Sequence, residues 1–399
     1  MRYFSWRDAT GGGRKRGTIL FAIGSLTVGG AESQLVMLAE QLVQRGWKVE
    51  VYALDTSGSL RERLCSAGIN IIDGGYRSDR GTKATKMIAL VMCELSLCYR
   101  LLRARPGVVH GFLPLTNFMA ALAARAAFIP LVITSKRALG KHQDRHPKLR
   151  WMDRMANALS HIITANSKAV SDDTVRRDGY PASRIVVIPN GLDFSRFENS
   201  ETQREECRLQ LGLDASDIAI VNVANLIPYK GHGELVKAFG MLALKDSRLK
   251  LFLVGEDRGI WADLLDEAKK FGVAERIRLM GRRSDVPELL SAMDIGVMAS
   301  HEEGSSNALL EKLAAGLPVV ATNVGGNPEA LDGMPGCELV QPMEPADLAR
   351  GMTIVIERLE TSDKQRCERR RLVRGRFSVD AMVDAYERLY LSRMAGGTH

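Results

Sequence analysis

Short apolar runs alternate along this chain with segments whose apolar residues repeat at helical spacing. The run at 18–23 fits a buried parallel strand, because a strand that is covered on both faces carries apolar residues at consecutive positions. In the segment 31–45 the apolar positions share one helical face, and Gly46 follows where a helix would end. The next apolar run is 48–54. This order predicts a βαβ unit of a doubly wound sheet, with a right-handed crossover.

The same alternation continues along the chain and predicts two α/β domains. Further strands are predicted at 108–110, 131–134, 162–165, 185–188, 218–223, 249–254, 277–280, 295–298 and 318–321, with a helix near 117–127. The polar stretch 198–208 comes after a Pro-Asn-Gly turn, and such a stretch is typical of an interdomain linker. We therefore expect two doubly wound, Rossmann-like domains that face a cleft.

The length of 399 residues agrees with two domains, because single hydrophobic cores rarely grow that large. The expected parts are a basic N-terminal arm (1–16), an N-terminal domain (17–195), a C-terminal domain (196–377) and a closing helix (378–399) that returns toward the N-terminal domain. One helical face of the last part is apolar and comprises Val379, Met382, Val383, Tyr386, Leu389 and Tyr390.

Composition is that of a globular protein, with 45% hydrophobic and 26% charged residues. The six cysteines are scattered without a Cys-x-x-Cys pair, which favours free thiols over a zinc ribbon or a disulfide framework. The most apolar stretch, 118–134, contains Arg125 and Pro130 and fits a buried helix and strand better than a membrane span. The first residues lack the apolar core of a secretory signal. We therefore expect a cytoplasmic protein.

Charge is divided unevenly between the two halves. Residues 1–199 hold 29 Lys/Arg against 16 Asp/Glu, a net charge of +13, and residues 200–399 hold 26 against 31, a net charge of −5. This asymmetry favours an anionic partner for the N-terminal domain, whether nucleic acid, acidic lipid or a phosphorylated substrate. A basic surface that serves only solubility is the alternative.

Two loops that follow predicted strands are the candidate ligand-binding loops, because ligands of doubly wound sheets bind at the carboxyl ends of strands. Gly29 and Gly30 precede the first helix, and paired glycines let a phosphate approach the backbone N–H groups. In the segment 301–322, Glu303 follows a strand and Glu311 stands about one turn inside the next helix. Both carboxylates can then face one pocket while the helix N–H groups point at an anion between them.

The segment 301–322 resembles the Glu-x7-Glu signature of family 4 glycosyltransferases, which have the GT-B fold. The resemblance covers most of the chain, through Gly-Gly-x-Glu at 29–32, Val-Ile-Pro-Asn-Gly-Leu-Asp at 187–193, Pro-Tyr-Lys-Gly-His at 228–232, Leu-Val-Gly-Glu at 253–256, Asp-Val-Pro-Glu-Leu-Leu at 285–290 and Val-Gly-Gly-Asn-Pro-Glu at 324–329. It implies a retaining enzyme that takes its sugar from a nucleotide diphosphate donor.

The resemblance also implies a role for individual residues. Glu311 would bind the ribose hydroxyls of the donor, Glu303 the transferred sugar, and Lys230 the diphosphate, so that Glu303 and Lys230 are the expected catalytic residues. The remaining donor-binding positions are Gly29, Gly30, Asn225, Arg282, Ser306, Asn307 and Ala308, of which Arg282 begins a loop near the base.

The chain departs from the family pattern at two places. Many members carry an arginine where this chain has Asn225, so the phosphate site either has one cation fewer or takes one from elsewhere. Many also carry an acceptor-side histidine where this chain reads Ser135-Lys136-Arg137. We therefore expect His110, Lys136 and Arg137 on the acceptor side of the cleft.

The reaction implied by the resemblance needs no protein nucleophile, no cofactor and no metal, and the chain contains no Asp-x-Asp motif of the metal-dependent GT-A enzymes. The expected donor is a UDP-sugar, with GDP-mannose second, and the expected activity is hexosyl or N-acetylhexosaminyl transfer. A GT-B-like epimerase or phosphorylase and a non-catalytic nucleotide-sugar-binding subunit are the alternatives. Nucleic-acid binding would explain the basic half but not the acidic loop, so we expect no nucleic acid partner.

The expected acceptor is a glycan or a lipid-linked sugar of cell-surface polysaccharide or glycolipid synthesis. We expect peripheral association with the anionic inner face of the membrane through the N-terminal domain. Its basic residues cluster in a few runs, namely Arg77, Arg80, Lys83 and Lys86, then Arg100, Arg103 and Arg105, then Lys136, Arg137, Lys141, Arg145, Lys148 and Arg150.

Overall fold

The structure is a computed structural model that describes residues 16–77, 81–140, 147–198, 201–359 and 362–395. It contains two parallel sheets, of seven and six strands, each flanked by helices. The predicted fold class, two doubly wound domains, is confirmed. Apart from Arg16, the predicted basic arm lies outside the described residues. Among the helices of the described ranges, none is long and apolar enough to cross a membrane.

The N-terminal sheet has the strand order β3-β2-β1-β4-β5-β6-β7, with every neighbouring pair parallel. Its strands are β1 (Thr18–Ser25), β2 (Lys48–Asp55), β3 (Asn70–Asp73), β4 (Val108–Phe112), β5 (Leu131–Lys136), β6 (Ile162–Ala165) and β7 (Ile185–Val187). Its helices are α1 (Gly30–Gln44), α2 (Leu60–Ser66), α3 (Lys83–Ala104), α4 (Pro114–Ala126), α5 (Pro147–Leu159) and α6 (Lys168–Asp178). Strand β3 was not predicted from the sequence. It is only partly buried, so it lacks a run of consecutive apolar residues.

The C-terminal sheet has the order β10-β9-β8-β11-β12-β13, again all parallel. Its strands are β8 (Ile218–Val223), β9 (Leu249–Val254), β10 (Ile277–Gly281), β11 (Ile295–Met298), β12 (Val319–Thr322) and β13 (Glu338–Val340). Its helices are α7 (Glu201–Gln210), α8 (His232–Ala243), α9 (Trp261–Lys270), α10 (Val286–Ser291), α11 (Asn307–Ala314), α12 (Asn327–Leu331), α13 (Pro345–Glu357) and α14 (Ser362–Phe377), and α15 (Val379–Ala395) follows them.

The interpretation of residues 198–208 as a linker was wrong for most of that stretch. Helix α7 begins at Glu201, and its arginines anchor it to the C-terminal domain. Arg204 and Arg208 both donate to the carboxylate of Asp294, with distances of 2.6 and 3.1 Å. A polar helix held by ion pairs has few apolar positions, so its sequence looks like a linker.

The last helix, α15, packs on the N-terminal domain. Its predicted apolar face is buried except for the half-buried Val379, and Met382, Tyr386 and Tyr390 join the same hydrophobic core as strand β1 and helix α1. The chain returns beside the first interdomain connection, where the N–H of Leu192 donates to the carbonyl of Phe377 at 2.8 Å. The cysteines are all free, as predicted.

The carboxyl ends of the two sheets face each other, and polar contacts join the domains there. The Ser167 hydroxyl donates to the carbonyl of Gly304 at 2.9 Å. The carboxylate of Glu329 accepts the backbone N–H groups of Lys168 and Ala169 at 2.7 and 2.8 Å, and so caps helix α6 from the other domain. This closed arrangement encloses the space where a ligand of either sheet would lie.

Candidate functional site

A cavity of about 200 Å³ lies between the two domains at the carboxyl ends of their strands. Residues of both domains line it: Gly30, Ala31, Arg137, Asn166 and Asn190 from the N-terminal domain, and Lys230, Glu303, Ser305, Ser306 and Asn307 from the C-terminal domain. Of the expected site residues, the structure therefore brings Gly30, Arg137, Lys230, Glu303, Ser306 and Asn307 to one place.

An ion pair between Lys230 and Glu303 forms the C-terminal wall of this cavity. Lys230 Nζ lies 2.6 Å from Glu303 Oε1, and the Ser300 hydroxyl donates to the same oxygen at 2.8 Å. Gly231 makes this position possible, since it has a φ of +69° and a Cβ there would lie 1.9 Å from the carbonyl oxygen of Ala299. The turn that carries Lys230 can therefore press against the end of strand β11.

Helix α11 begins at the cavity with Ser306 as its N-cap. The Ser306 hydroxyl accepts the N–H of Leu309 at 3.3 Å, which leaves the first-turn N–H groups at Asn307 and Ala308 as the positive end of the helix. Such an end favours an anion, and phosphate groups are commonly bound this way. Ala308 itself is half-buried beside the cavity lining.

Glu311 lies one turn further along α11 and is half-buried. Burial raises the pKa of its carboxyl, and the positive charges of Lys312 and Arg196 oppose that rise. The charged form, which accepts hydroxyl hydrogen bonds most strongly, therefore depends on nearby cations.

The glycine loop of the N-terminal domain is tied to helix α11. Asn307 Nδ2 lies 3.4 Å from the carbonyl oxygen of Gly30, and Asn307 Oδ1 accepts from Asn190 Nδ2 at 2.7 Å. Gly29 is the N-cap of helix α1 and has an extended backbone. Two amide side chains thus hold the rim of the cavity closed between the domains.

Arg137 supplies the second cation of the cavity. Its Nη1 donates to Asn190 Oδ1 at 2.9 Å and its guanidinium stacks 5.1 Å from the ring centroid of Phe112. Its Nε and Nη2 atoms are buried and have no hydrogen-bond partner in the described part of the chain. Buried donors without partners are costly, so this guanidinium is well suited to receive an anion.

The structure corrects the expectation for the other two acceptor-side residues. His110 is fully buried under the cavity, where its ring nitrogens are 2.8 Å from the hydroxyls of Tyr390 and Ser135. Lys136 is also buried and pairs with Asp153. Both side chains point into the N-terminal domain, because alternate residues of a strand face opposite sides of the sheet and helices cover both sides here.

Asn225 and Arg282 lie outside the cavity lining. Both are exposed, and Asn225 Oδ1 accepts the N–H of Glu256 at 3.2 Å. Asn225 therefore stabilises the loop after strand β9 in this structure.

Several polar residues of the cavity were not predicted from the sequence, above all Asn166 and Asn190. Asn190 stands in the Pro-Asn-Gly turn, which belongs to one of the family motifs but gives no side-chain role for the asparagine. An asparagine directly after an apolar strand, at the edge of the sheet where ligands bind, was the available signal.

Two halves of the chain match two family descriptions. Residues 28–196 match Glycosyltransferase Family 4, and residues 217–358 match Glycosyl transferases group 1. D-inositol 3-phosphate glycosyltransferase of Rhodococcus opacus (strain B4) is 26% identical over 330 residues, which are 76% of this chain and 72% of that protein. UDP-Gal:alpha-D-GlcNAc-diphosphoundecaprenol alpha-1,3-galactosyltransferase of Escherichia coli is 24% identical over 246 residues, which are 59% of this chain and 63% of that protein.

The fold is shared with solved structures. Anabaena Alr3699/HepE in complex with UDP-glucose superposes with a TM-score of 0.81 at 22% identity, over 94% of this chain and 99% of that one. The family matches and the fold agree with the Glu-x7-Glu resemblance of the sequence. The N-terminal match is to family 4 and the C-terminal match is to group 1 of the glycosyl transferases. The chain therefore belongs to the family 4 glycosyltransferases and is a glycosyl-transferring enzyme with the GT-B fold.

Proposed function

We propose that this protein is a retaining glycosyltransferase that moves a sugar from a nucleotide diphosphate donor to a hydroxyl of a glycan or a lipid-linked acceptor. The proposal rests on one cavity, which is lined by Lys230, Arg137, Glu303 and the start of helix α11. Two cations and a positive helix end suit a diphosphate, and a carboxylate beside them suits sugar hydroxyls. The product would serve cell-surface polysaccharide or glycolipid synthesis.

The donor in this proposal is a UDP-sugar, with GDP-mannose as the second choice. The Anabaena protein with a similar fold was solved with UDP-glucose, and the Escherichia coli relative is named for a UDP-galactose donor. Those names support a uridine nucleotide and leave hexosyl and N-acetylhexosaminyl transfer both open.

In the proposed reaction the bond between the anomeric carbon and the diphosphate oxygen breaks while the acceptor hydroxyl approaches on the same face. The leaving phosphate takes the proton of that hydroxyl, so no protein nucleophile is required. Lys230 and the N–H groups at Asn307 and Ala308 would stabilise the charge that grows on the diphosphate. Glu303 would bind the sugar hydroxyls, and Glu311 would bind the ribose hydroxyls. These two contacts would hold the anomeric carbon in place where the acceptor hydroxyl approaches it.

A thermal-shift panel of nucleotide sugars tests the donor. A ligand at a hundred times its dissociation constant adds about 2.7 kcal/mol of stability, so the correct donor should raise the melting temperature clearly above the other nucleotides. Incubation of that donor without an acceptor separates the alternatives, because an epimerase changes the sugar alone. A protein that binds no nucleotide sugar would contradict the proposal.

We also propose that the N-terminal domain associates with an anionic cytoplasmic membrane surface. Helix α3 is buried along one side, yet a second apolar face points outward: Met87, Ile88, Val91, Met92, Leu95, Tyr99 and Leu102, each 47% to 64% exposed. At 3.6 residues per turn these side chains fall within an arc of about 140°. Exposed basic residues, Lys83 and Arg103, stand near its two ends. An apolar face flanked by basic residues fits an anionic lipid interface.

The structure changes which of the predicted basic residues can take part. Lys136 is buried, Arg77 pairs with Asp73 at 2.8 Å, and Arg100 pairs with Glu50 at 2.9 Å. Arg80, Lys141 and Arg145 lie outside the described residues. In this proposal the apolar face of α3, and not Lys136, is therefore the main surface that contacts the membrane.

Co-sedimentation with anionic and neutral vesicles, at low and high salt, tests the membrane proposal. The triple variant Ile88→Gln, Val91→Gln, Leu95→Gln should lose binding to anionic vesicles. A matched control changes the exposed Leu209 and Leu244 of the C-terminal domain to Gln and should bind as the parent does. Equal binding to both lipids, or none, would mean that the basic surface serves a soluble phosphorylated acceptor or only solubility.

A further inference from the structure

A chain of side-chain hydrogen bonds, the amide chain, crosses the candidate site from one domain to the other. It starts at Arg137, whose Nη1 donates to Asn190 Oδ1 at 2.9 Å. Asn190 Nδ2 donates to Asn307 Oδ1 at 2.7 Å, and Asn307 Nδ2 lies 3.4 Å from the carbonyl oxygen of Gly30. Asn307 belongs to the C-terminal domain and the other three residues to the N-terminal domain, so the amide chain crosses the domain boundary twice.

The first member of the amide chain fixes the orientation of the others. A guanidinium group only donates hydrogen bonds, so the amide oxygen of Asn190 faces Arg137 and its nitrogen faces Asn307. The amide of Asn307 is oriented in the same way, with its oxygen toward Asn190 and its nitrogen toward the carbonyl of Gly30. Because Asn190 is buried, a broken link would leave polar atoms without a partner, which is costly.

Asn190 also stands next to the first connection between the domains. The following residue, Gly191, is held on both sides by the buried amide of Gln34. The N–H of Gly191 donates to Gln34 Oε1, and Gln34 Nε2 donates to the carbonyl of Gly191, each at 2.8 Å. Gln34 belongs to helix α1, and its Nε2 also lies 3.4 Å from Asn307 Oδ1. The turn before the connection is therefore fixed to the helix that follows the glycine loop.

The amide chain joins two groups that suit an anion, one from each domain. Asn307 is the first residue of helix α11, whose N–H groups form a positive end at the cavity, while its side chain contacts the N-terminal domain. Arg137 Nε and Nη2 are buried in the N-terminal wall and have no hydrogen-bond partner among the described residues. Only Asn190 stands between these two groups in the amide chain.

We propose that Asn190 and Asn307 are positioning residues, which hold Arg137 and the start of helix α11 at the separation that a bound diphosphate requires. This inference rests on the proposed donor site. Each anion-binding group lies on its own domain, so a rotation of one domain against the other would separate the two groups. The amide chain opposes that rotation, and an anion that binds both groups opposes it as well. Donor binding and the contact between the domains should therefore strengthen each other.

Asn190→Asp tests the amide chain at its central link. The aspartate has the same shape and keeps an oxygen acceptor for Arg137, but it cannot donate to Asn307 Oδ1 or to the carbonyl of Ser305. Asn166→Asp is the matched control, because Asn166 lines the same cavity and its amide nitrogen donates to the Arg137 carbonyl within its own domain, at 3.2 Å. Both variants add one negative charge to the N-terminal wall. The Asn166 change leaves the contact between Asn190 and Asn307 in place.

The readout is the distance between the domains, measured by pulsed electron spin resonance between labels on Cys65 of helix α2 and Cys367 of helix α14. Both cysteines are exposed, and the three half-buried cysteines are replaced by alanine in every protein compared. Without ligand, the distance distribution of Asn190→Asp should be broader than that of the parent, whereas Asn166→Asp should match the parent. Equal distributions in Asn190→Asp and the parent would overturn the inference.

Calorimetry with UDP tests the link to the donor site through a double-mutant cycle. Asn190→Ala and Asn307→Ala should each weaken UDP binding on the order of tenfold, within the usual range for coupling between sites. The double variant should bind UDP as weakly as either single variant, because one broken link already interrupts the amide chain. Independent contacts would instead multiply the two losses, and that result would contradict a connected chain.

Failure of the donor site is recognised separately. A parent protein that binds no nucleotide sugar in the thermal-shift panel would overturn the proposed function and the link to the donor, while the ligand-free distances would still decide whether the amide chain holds the domains together. If Asn190→Asp does not fold, Asn307→Ala takes its place in the distance measurement, because it removes the same link from the other domain. A distribution as narrow as that of the parent would then overturn the inference.

Discussion

Lys230 and Glu303 form an ion pair 2.6 Å long across the candidate site, although they are expected to bind different parts of the donor. The pair keeps both side chains ordered and aimed at the cavity. In the proposed donor complex each residue would exchange this partner, since the diphosphate would take the ammonium group and the sugar hydroxyls would take the carboxylate. Mutation of either residue therefore alters the other, and each needs its own control.

Lys230→Ala should weaken donor binding and slow transfer together, because the diphosphate gains negative charge as the glycosidic bond breaks. We expect a loss of about 1.5–3 kcal/mol in donor binding, the range for hydrogen bonds to charged groups. Calorimetry with UDP and steady-state kinetics measure the two effects. Lys237→Ala, an exposed lysine of helix α8, is the control and should change neither. A variant that differs only in melting temperature would make Lys230 a structural residue.

The two glutamates should respond differently. Glu311→Ala should weaken the binding of UDP itself by about 1.5–3 kcal/mol, because a ribose loses a charged acceptor. Glu303→Ala should bind UDP nearly as the parent does and lower the transfer rate, because its proposed contact is to the sugar. Comparison of UDP affinity with turnover separates them. Equal UDP affinity of the Glu311 variant and the parent would refute the ribose assignment.

Arg137→Met should weaken UDP binding, because two of its guanidinium nitrogens are buried and have no hydrogen-bond partner among the described residues, in the cavity that Lys230 also lines. Asn225→Arg places a cation where many family members have one and should restore part of the affinity in the double variant. If Arg137→Met leaves UDP affinity unchanged and raises KM for the acceptor, the residue acts on the acceptor side, as the sequence alone indicated.

Transfer should continue in EDTA, because the proposed charge stabilisation comes from Lys230 and helix N–H groups. Activity is compared before and after chelation, and after addition of Mg²⁺ or Mn²⁺. A complete loss that the metal restores would contradict the metal-free mechanism.

His110 should make stability depend on pH. Burial, followed by the nearby charge of Arg137, lowers the pKa of His110 well below 6.5. As pH falls below 6.5 the unfolded chain binds a proton at this position and the folded protein does not, so the free energy of unfolding falls by about 1.4 kcal/mol per pH unit from this group. His110→Gln should reduce the slope of unfolding free energy against pH by that amount. Tyr390→Phe removes its hydroxyl partner and should lower stability while the slope remains. An unchanged slope in His110→Gln would mean that His110 titrates normally.

Much of the fold followed from sequence because its strands are buried on both faces. The first five residues of the run Ile218–Val223 are buried and the last is half-buried, so a nearly continuous apolar run marks the strand clearly. The short strand β13 and the polar helix α14 lack that signal, and neither was predicted. Helix α3 contains many apolar residues, yet Ile88 and Leu95 face outward, which only the positions of its neighbours reveal.

The site shows the same limit. Glu303, Lys230 and Ser306 were expected at one site because each stands in a motif that resembles the family pattern, and all three line the cavity. The direction of a side chain at a strand end depends on packing, and for this reason His110 was expected in the cleft although it contacts Tyr390 of the last helix. The contact of Asn190 with Asn307 joins residues from different domains, and a local pattern carries no information about it.

The return of α15 to the N-terminal domain has a consequence for biosynthesis. Strand β1 emerges from the ribosome early, but Met382, Tyr386 and Tyr390 of its core are translated some 360 residues later than Ile19. During synthesis, the apolar surface of the N-terminal domain that α15 covers therefore stays exposed until the C-terminal domain has been translated. A nascent chain arrested before residue 379 should be a chaperone client, and cutting the gene at the domain boundary should give an insoluble N-terminal half that a separately supplied α15 segment can rescue.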